Sequence, residues 1–249
     1  MTTMTLLLFV AAVWAGIQNA LAGGGSFVTL PTLILSGLDA RAANIASTIA
    51  LFPGQVTTGL VGRELVSGAA GLSFRTLMAV SVVGGAMGAV LLLLTPPTFF
   101  ARLVPWLVLF ATVLFAWGSF FRRTGEAGPH LSPHAALAMQ FLISVYGGYF
   151  GGGIGFLMLA ALTAAGVAVR TAGATKNVLA SVMNASAVAI FLFTPGIPWA
   201  RVGIVAVGAI LGGYLGAHLL KRVDERLIRG FVVVLGVCLT IGLFLRGPG

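Results

Sequence analysis

Apolar residues run along this chain in long unbroken stretches, without the two-residue alternation of a half-buried strand. Stretches at about 42–62, 74–95 and 101–121 are followed by others at about 171–194, 200–220 and 226–245. Each is about 20 residues long, enough for a helix to cross a hydrocarbon core of about 30 Å. Continuous runs also exclude a β-barrel, whose strands alternate lipid-facing and lumen-facing residues. The expected fold class is all-α, a polytopic membrane protein with almost nothing outside the bilayer. The whole chain, 1–249, reads as one transmembrane domain.

Two more apolar segments, 5–37 and 134–166, break this pattern from within. The first contains "NALAGGGSFVTLP" at 19–31, and the second contains "FGGGIG" at 150–155. A glycine in a helix interior costs roughly 1 kcal/mol relative to alanine, so three in a row end a helix rather than bend it. Backbone groups freed there must find partners in protein, water or ligand.

The two breaks are copies of one another. At an offset of 129, "AGGGSFVTLPTLILSGLDARAANIAST" lies over "GGGIGFLMLAALTAAGVAVRTAGATKN" without a gap, so that Gly23 falls on Gly152, Phe27 on Phe156 and Arg41 on Arg170. "GGAMGAVLL" from Gly84 lies over "GGYLGAHLL" from Gly212, and Arg102 opens a stretch loosely like the one from Arg226. The chain is therefore read as repeat one at 5–121, a polar linker at 122–133 and repeat two at 134–246. Each repeat consists of a glycine-broken segment followed by three apolar runs.

Basic residues bear on the path of the broken segments. If every segment crosses the membrane, six Lys and Arg fall on one side and eight on the other, which is no bias. If each broken segment is a hairpin that returns to its own side, the division becomes ten against four. That is the asymmetry expected when basic loops stay inside. Without Arg41, Arg170 and Lys176 it is still eight against three. Each repeat then crosses three times, the second is inverted relative to the first, and both termini lie outside.

Composition fits a membrane protein and narrows its partners. The chain is 59% hydrophobic and 8% charged, with a mean hydropathy of +1.08. A soluble domain carries about a quarter charged residues. The net charge of +9 is spread as ones and twos between apolar runs, apart from Lys221, Arg222, Arg226 and Arg229. Such spacing suits topology and lipid headgroups rather than nucleic acid. The expected partners are a small anionic substrate and the lipid bilayer, with a homodimer left open. The single cysteine, Cys238, excludes an intrachain disulfide. No cofactor or metal is expected.

The candidate chemistry gathers around the breaks. "GGAMG" and "GGYLG" carry small residues at helical spacings and are read as helix-packing faces. The glycine triplets differ, because no single contact face needs three glycines. They free N–H groups just before a helix restarts, where the positive end of its dipole adds to them. Gly23, Gly24, Gly25 and Ser26 in repeat one, with Gly151, Gly152 and Gly153 in repeat two, are therefore candidate anion-binding positions. Around them lie Asn19, Arg41, Asn44 and Thr48, and in repeat two Arg170, Lys176, Asn177 and Asn184. An intramembrane cation is a functional hypothesis by default, and Lys176 lies deepest. Arg41 and Arg170 also fit helix-end residues reaching for the interface.

The five acids, Asp39, Glu64, Glu126, Asp224 and Glu225, lie at or near segment ends, which favours an anion path over a cation path. An intramembrane enzyme built on Ser26 lacks a partner. His218 is the only histidine inside an apolar run, and no intramembrane aspartate is present to orient it.

The stretches "AGIQNALAGGGSFVTLPTLILSGLDARAAN" and "GGYFGGGIGFLMLAALTAAGV…ATKNVLASVMNAS" resemble the TauE/SafE family of sulfite and organosulfonate exporters, over essentially the whole chain. The resemblance implies a secondary transporter or facilitator that exports sulfite, sulfoacetate or a related sulfonate across a bacterial inner membrane. It implies no enzymatic activity, and Lys176 and Asn184 match the family's second-repeat polar positions. The chain departs from the family where members often carry an acid, at Asn19 and near Gly148. It also lacks a first-repeat lysine near Ser47 or Thr48. The alternative is a carrier of another small anion or a carboxylate.

Overall fold

The computed structural model describes residues 3–21, 24–61, 63–117, 131–219 and 225–246. Within these spans, the side chains at 20, 21, 61, 217–219, 225–229, 231, 232 and 246 lie outside the description. Gly23, most of the linker, Lys221 and Arg222 also lie outside the described residues, as do the side chains of His218, Arg226 and Arg229.

The described residues form ten α-helices. In the first half they are α1 (Thr3–Leu21), α2 (Ser26–Leu35), α3 (Ala40–Val61), α4 (Phe74–Leu94) and α5 (Pro97–Ala116). In the second they are α6 (Pro133–Tyr149), α7 (Ile154–Ala164), α8 (Val169–Phe191), α9 (Trp199–Leu219) and α10 (Glu225–Arg246). Among the described residues the only non-helical pairing is an isolated bridge between Ala69 and Leu72. The boundaries have local causes. Ser73 and Ser132 cap α4 and α6 by accepting the amides of Thr76 and Ala135, and Pro97 and Pro133 occupy first-turn positions.

Each broken segment is two helices joined by a turn that needs glycine. Gly24 before α2 has φ +81°, and Gly151 and Gly153 before α7 have φ +79° and +75°, a region L-residues avoid. Each short helix begins beside the end of the long helix before it. Gln18 Nε2 donates to the Gly24 carbonyl at 2.9 Å, and the Gly25 amide donates to Asn19 Oδ1 at 3.4 Å.

The two halves interlock. α1 packs along α9 and α4 along α6; α4 also packs on α8 and α3 on α9. α3 and α8 cross each other, as do α5 and α10. Exchanging each first-half helix for its second-half counterpart turns every one of these contacts into another or into itself. The "GG" faces make the closest approaches. Gly88 lies against the Val145 carbonyl of α6, and Gly212 against the Val13 carbonyl of α1.

Polarity is arranged inside-out relative to a soluble protein. Gln18, Asn44, Ser47, Ser81, Gln140, Thr175 and Asn184 are buried, while Val83, Leu94, Trp106, Val207, Leu211, Tyr214, Val234 and Ile241 are exposed. Such a large exposed apolar surface fits a lipid environment. Among the described residues, three helices are long and apolar enough to cross a membrane by length and composition: Phe74–Leu94, Pro97–Ala116 and Trp199–Gly216. α3 and α8 are as long but less apolar, because their polar residues turn into the bundle.

Candidate functional site

The breaks and the crossing helices enclose one cavity of about 100 Å³. A single water needs about 10–15 Å³ by this kind of measure, so the space admits a small oxyanion with some hydration. Asn19, Gly24 and Ser26 line it from the first break, and Gly151 and Gly153 from the second. Thr48 of α3 and Lys176, Asn177 and Asn184 of α8 complete the expected set.

The two helix starts present free donors. The amides of Phe27, Val28 and Thr29 are taken by the Gly24 and Gly25 carbonyls, and those of Phe156 and Leu157 by Gly153. Among the described residues, the leading amides of Ser26 in α2 and of Ile154 and Gly155 in α7 have no backbone acceptor and are left to a ligand. Lys176 stands beside the second start, where a Cβ added to Gly155 would lie 3.5 Å from its Nζ. Its ammonium donates to Asn177 Oδ1 at 3.1 Å, and no carboxylate lines the cavity with it. Among the described residues, Lys176 is the one cation facing the cavity, together with the positive ends of two helices.

α3 and α8 hold the cavity between their middles. Ser181 Oγ donates to the Gln55 backbone carbonyl at 2.8 Å, and the Asn184 amide donates to Gln55 Oε1. Gly59 approaches Ser181 and the Asn177 carbonyl, so the two helices run antiparallel where they cross. The remaining oxygen, Asn184 Oδ1, is buried without a partner.

Five expected positions do not line the cavity. Arg41 donates to the Leu93 and Thr95 carbonyls at 3.2 and 3.0 Å, closing the C-terminal end of α4. Arg170 is exposed at the start of α8. Asn44 donates to the Tyr149 carbonyl at 3.1 Å, and Gly25 packs against Ala15. Gly152 accepts the Tyr146 hydroxyl at 2.9 Å. Arg41, Asn44 and Gly152 are thus engaged with the protein itself.

Several lining residues are additions: Ser47, Gln55, Thr58, Phe150 and Gly155. Two of them were within reach of the repeat. At the offset of 129, Ser47 is the counterpart of Lys176 and Gln55 of Asn184. Phe150 carries no polar signal and is placed only by the fold.

A polar cavity with a cation, set inside a helical bundle whose outside is apolar, is the build of a membrane transporter rather than of an enzyme. The profile of the family described as "Sulfite exporter TauE/SafE" matches residues 8–243, and the chain belongs to that family. It is 29% identical to a "Probable membrane transporter protein ORF9" of Sinorhizobium sp, over 95% of this chain and 90% of that protein. It is 27% identical to a "Probable membrane transporter protein" of Haemophilus influenzae, over 94% and 92%. It is 26% identical to the "Probable membrane transporter protein YfcA" of Escherichia coli strain K12, over 98% and 90%.

Proposed function

We propose that this transporter exports a small sulfur-containing anion, sulfite or an organosulfonate, as a secondary carrier or facilitator of the bacterial inner membrane. The observation that carries the reading is the meeting of Lys176 with the starts of α2 and α7 in one cavity. Sulfonate or sulfite oxygens would accept from the leading amides and from the Lys176 ammonium, as anions do at helix N-termini. The family description supports the sulfur chemistry.

The two halves are proposed to be inverted in the membrane, each contributing three crossings and one re-entrant hairpin. The antiparallel crossing of α3 and α8 supports this. Gln55 and Asn184, equivalent positions of the two repeats, meet there, as an axis running across the helices in the membrane plane would require. The ten-against-four distribution of basic residues supports both termini outside. Relative movement of the halves would then expose the cavity alternately to each side.

Purified protein in liposomes should carry sulfite or a short sulfonate down an imposed gradient. Flux of small carboxylates with none of sulfite, thiosulfate or sulfonates would select the second reading, a carrier for other anions, which the lone cation and helix starts also accommodate.

A further inference from the structure

The central cavity has two unlike ends. At one end it reaches Thr58, an exposed residue close to the end of α3. At the other it stops at Ser26 and Phe150. Those same two residues also line a second void of about 10 Å³, room for about one water, between α2, α5 and α10. Apart from Ser26 and Asn44, the walls of that void are apolar, including Leu30, Val108 and Leu239. The second void in turn shares Ile34 and Leu243 with a wide pocket of about 780 Å³ that opens beside Asp39 and Arg102. Three spaces thus lie in series, separated by single side chains.

We propose that the second half of the transport route runs along one face of α2, and that Phe150 is the residue that closes it. Ser26, Leu30 and Ile34 lie at four-residue spacing, one above another on that face. The Phe150 ring lies over Gly152 and meets Tyr146 edge-on at a centroid distance of 6.1 Å, and Tyr146 in turn meets Phe110 at 5.7 Å. A constriction this narrow and apolar blocks ions by excluding water. α2 is set off from its neighbours by turns at Gly24 and Gly37, just before and after it, which hold left-handed φ of +81° and +92°. The structure is accordingly open at the Thr58 end and shut at Phe150. This inference rests on the cavity being the substrate site, but not on which anion fills it.

Thiol accessibility tests it in the reconstituted full chain with Cys238→Ala as background. A negatively charged, membrane-impermeant methanethiosulfonate reagent is applied from each side. Thr58→Cys should react from one face and Ile34→Cys from the other, while Leu30→Cys resists both. Adding Phe150→Ala should raise the Leu30→Cys rate about tenfold, from the Thr58 face, by letting water in from the open cavity. Phe150→Leu, which keeps the bulk, should leave it resistant. Labelling of Leu30→Cys from the Thr58 face with Phe150 intact, or no change with Phe150→Ala at an unaltered melting temperature, overturns the proposal. If Phe150→Ala does not fold, Phe150→Val is read in the same way. If no sulfur anion is carried and the labelling pattern still holds, the substrate reading fails and the route stands.

Discussion

The two halves of this protein share their packing and divide their chemistry. Gly88 of α4 packs against α6 and Gly212 of α9 against α1, a close approach made in both halves although the repeat lays Gly212 over Gly84. At the cavity the equivalence ends. Lys176 faces it from α8, and the matching position in α3 is Ser47, whose hydroxyl pairs with Thr29 at 2.6 Å. The breaks are held differently as well. Gln18 and Asn19 side chains fasten the first, and the Tyr146 hydroxyl fastens the second. Phe27 borders the void beside α2, whereas its counterpart Phe156 packs on Phe115 with ring centroids 4.0 Å apart. A duplicated scaffold can thus keep its backbone symmetry, which packing enforces everywhere, while a single substitution sets the charge of the site. One cation in a low-dielectric cavity outweighs many matched contacts in deciding what enters.

Breaking the shared packing should have the largest effect, and an equal one on both halves. Gly88→Leu and Gly212→Leu each force a side chain into a facing backbone, at a cost of about 3 kcal/mol. Both variants should lose most of their folded yield in size-exclusion chromatography; loss in one alone would break the structural equivalence. Next comes the chemical difference. Lys176→Met should weaken anion binding and flux roughly tenfold or more, since hydrogen bonds to a charged group contribute about 1.5–3 kcal/mol. Its melting temperature should hold or rise, because a buried cation is removed. Ser47→Ala should change flux less than about threefold, as its hydroxyl serves Thr29. Equal losses in the two variants would erase the asymmetry.

A smaller effect is expected where the halves meet as partners. Gln55→Ala and Asn184→Ala each remove one side of the same amide pair and should each lower stability by about 1 kcal/mol. Thermal unfolding that shows one to be silent would mean that the pair does not hold the crossing. The smallest difference separates the two arginines. Arg41→Gln should cost about 0.5–1 kcal/mol, because the guanidinium closes the carbonyl end of α4. Arg170→Gln should stay within about 0.5 kcal/mol, as expected for an exposed position. Urea denaturation of the two variants side by side checks this.

Much of the site was legible because its signals are local. A glycine triplet stops a helix wherever it occurs, and a lysine in an apolar run stands out against its neighbours. Carrying the repeat offset from Lys176 and Asn184 also leads to Ser47 and Gln55. Arg41 and Asn44 looked equally suited to an anion, yet their donors go to backbone carbonyls of α4 and α6. Nothing near them in sequence reveals this, since the acceptors lie 52 to 105 residues away. Phe150 was unreadable for the opposite reason, being one aromatic among seventeen phenylalanines.

The sequence by itself determined the helices, the two breaks, the duplication and the membrane setting, because hydropathy and glycine conformation act over a few residues. The tertiary structure decided which polar groups share a cavity and which are spent on helix ends. It also decided that one end of that cavity is stopped by an aromatic ring. These outcomes depend on how α3 crosses α8 and how α2 lies against α5 and α10. Such crossings are set by small-residue faces that meet only when the bundle closes.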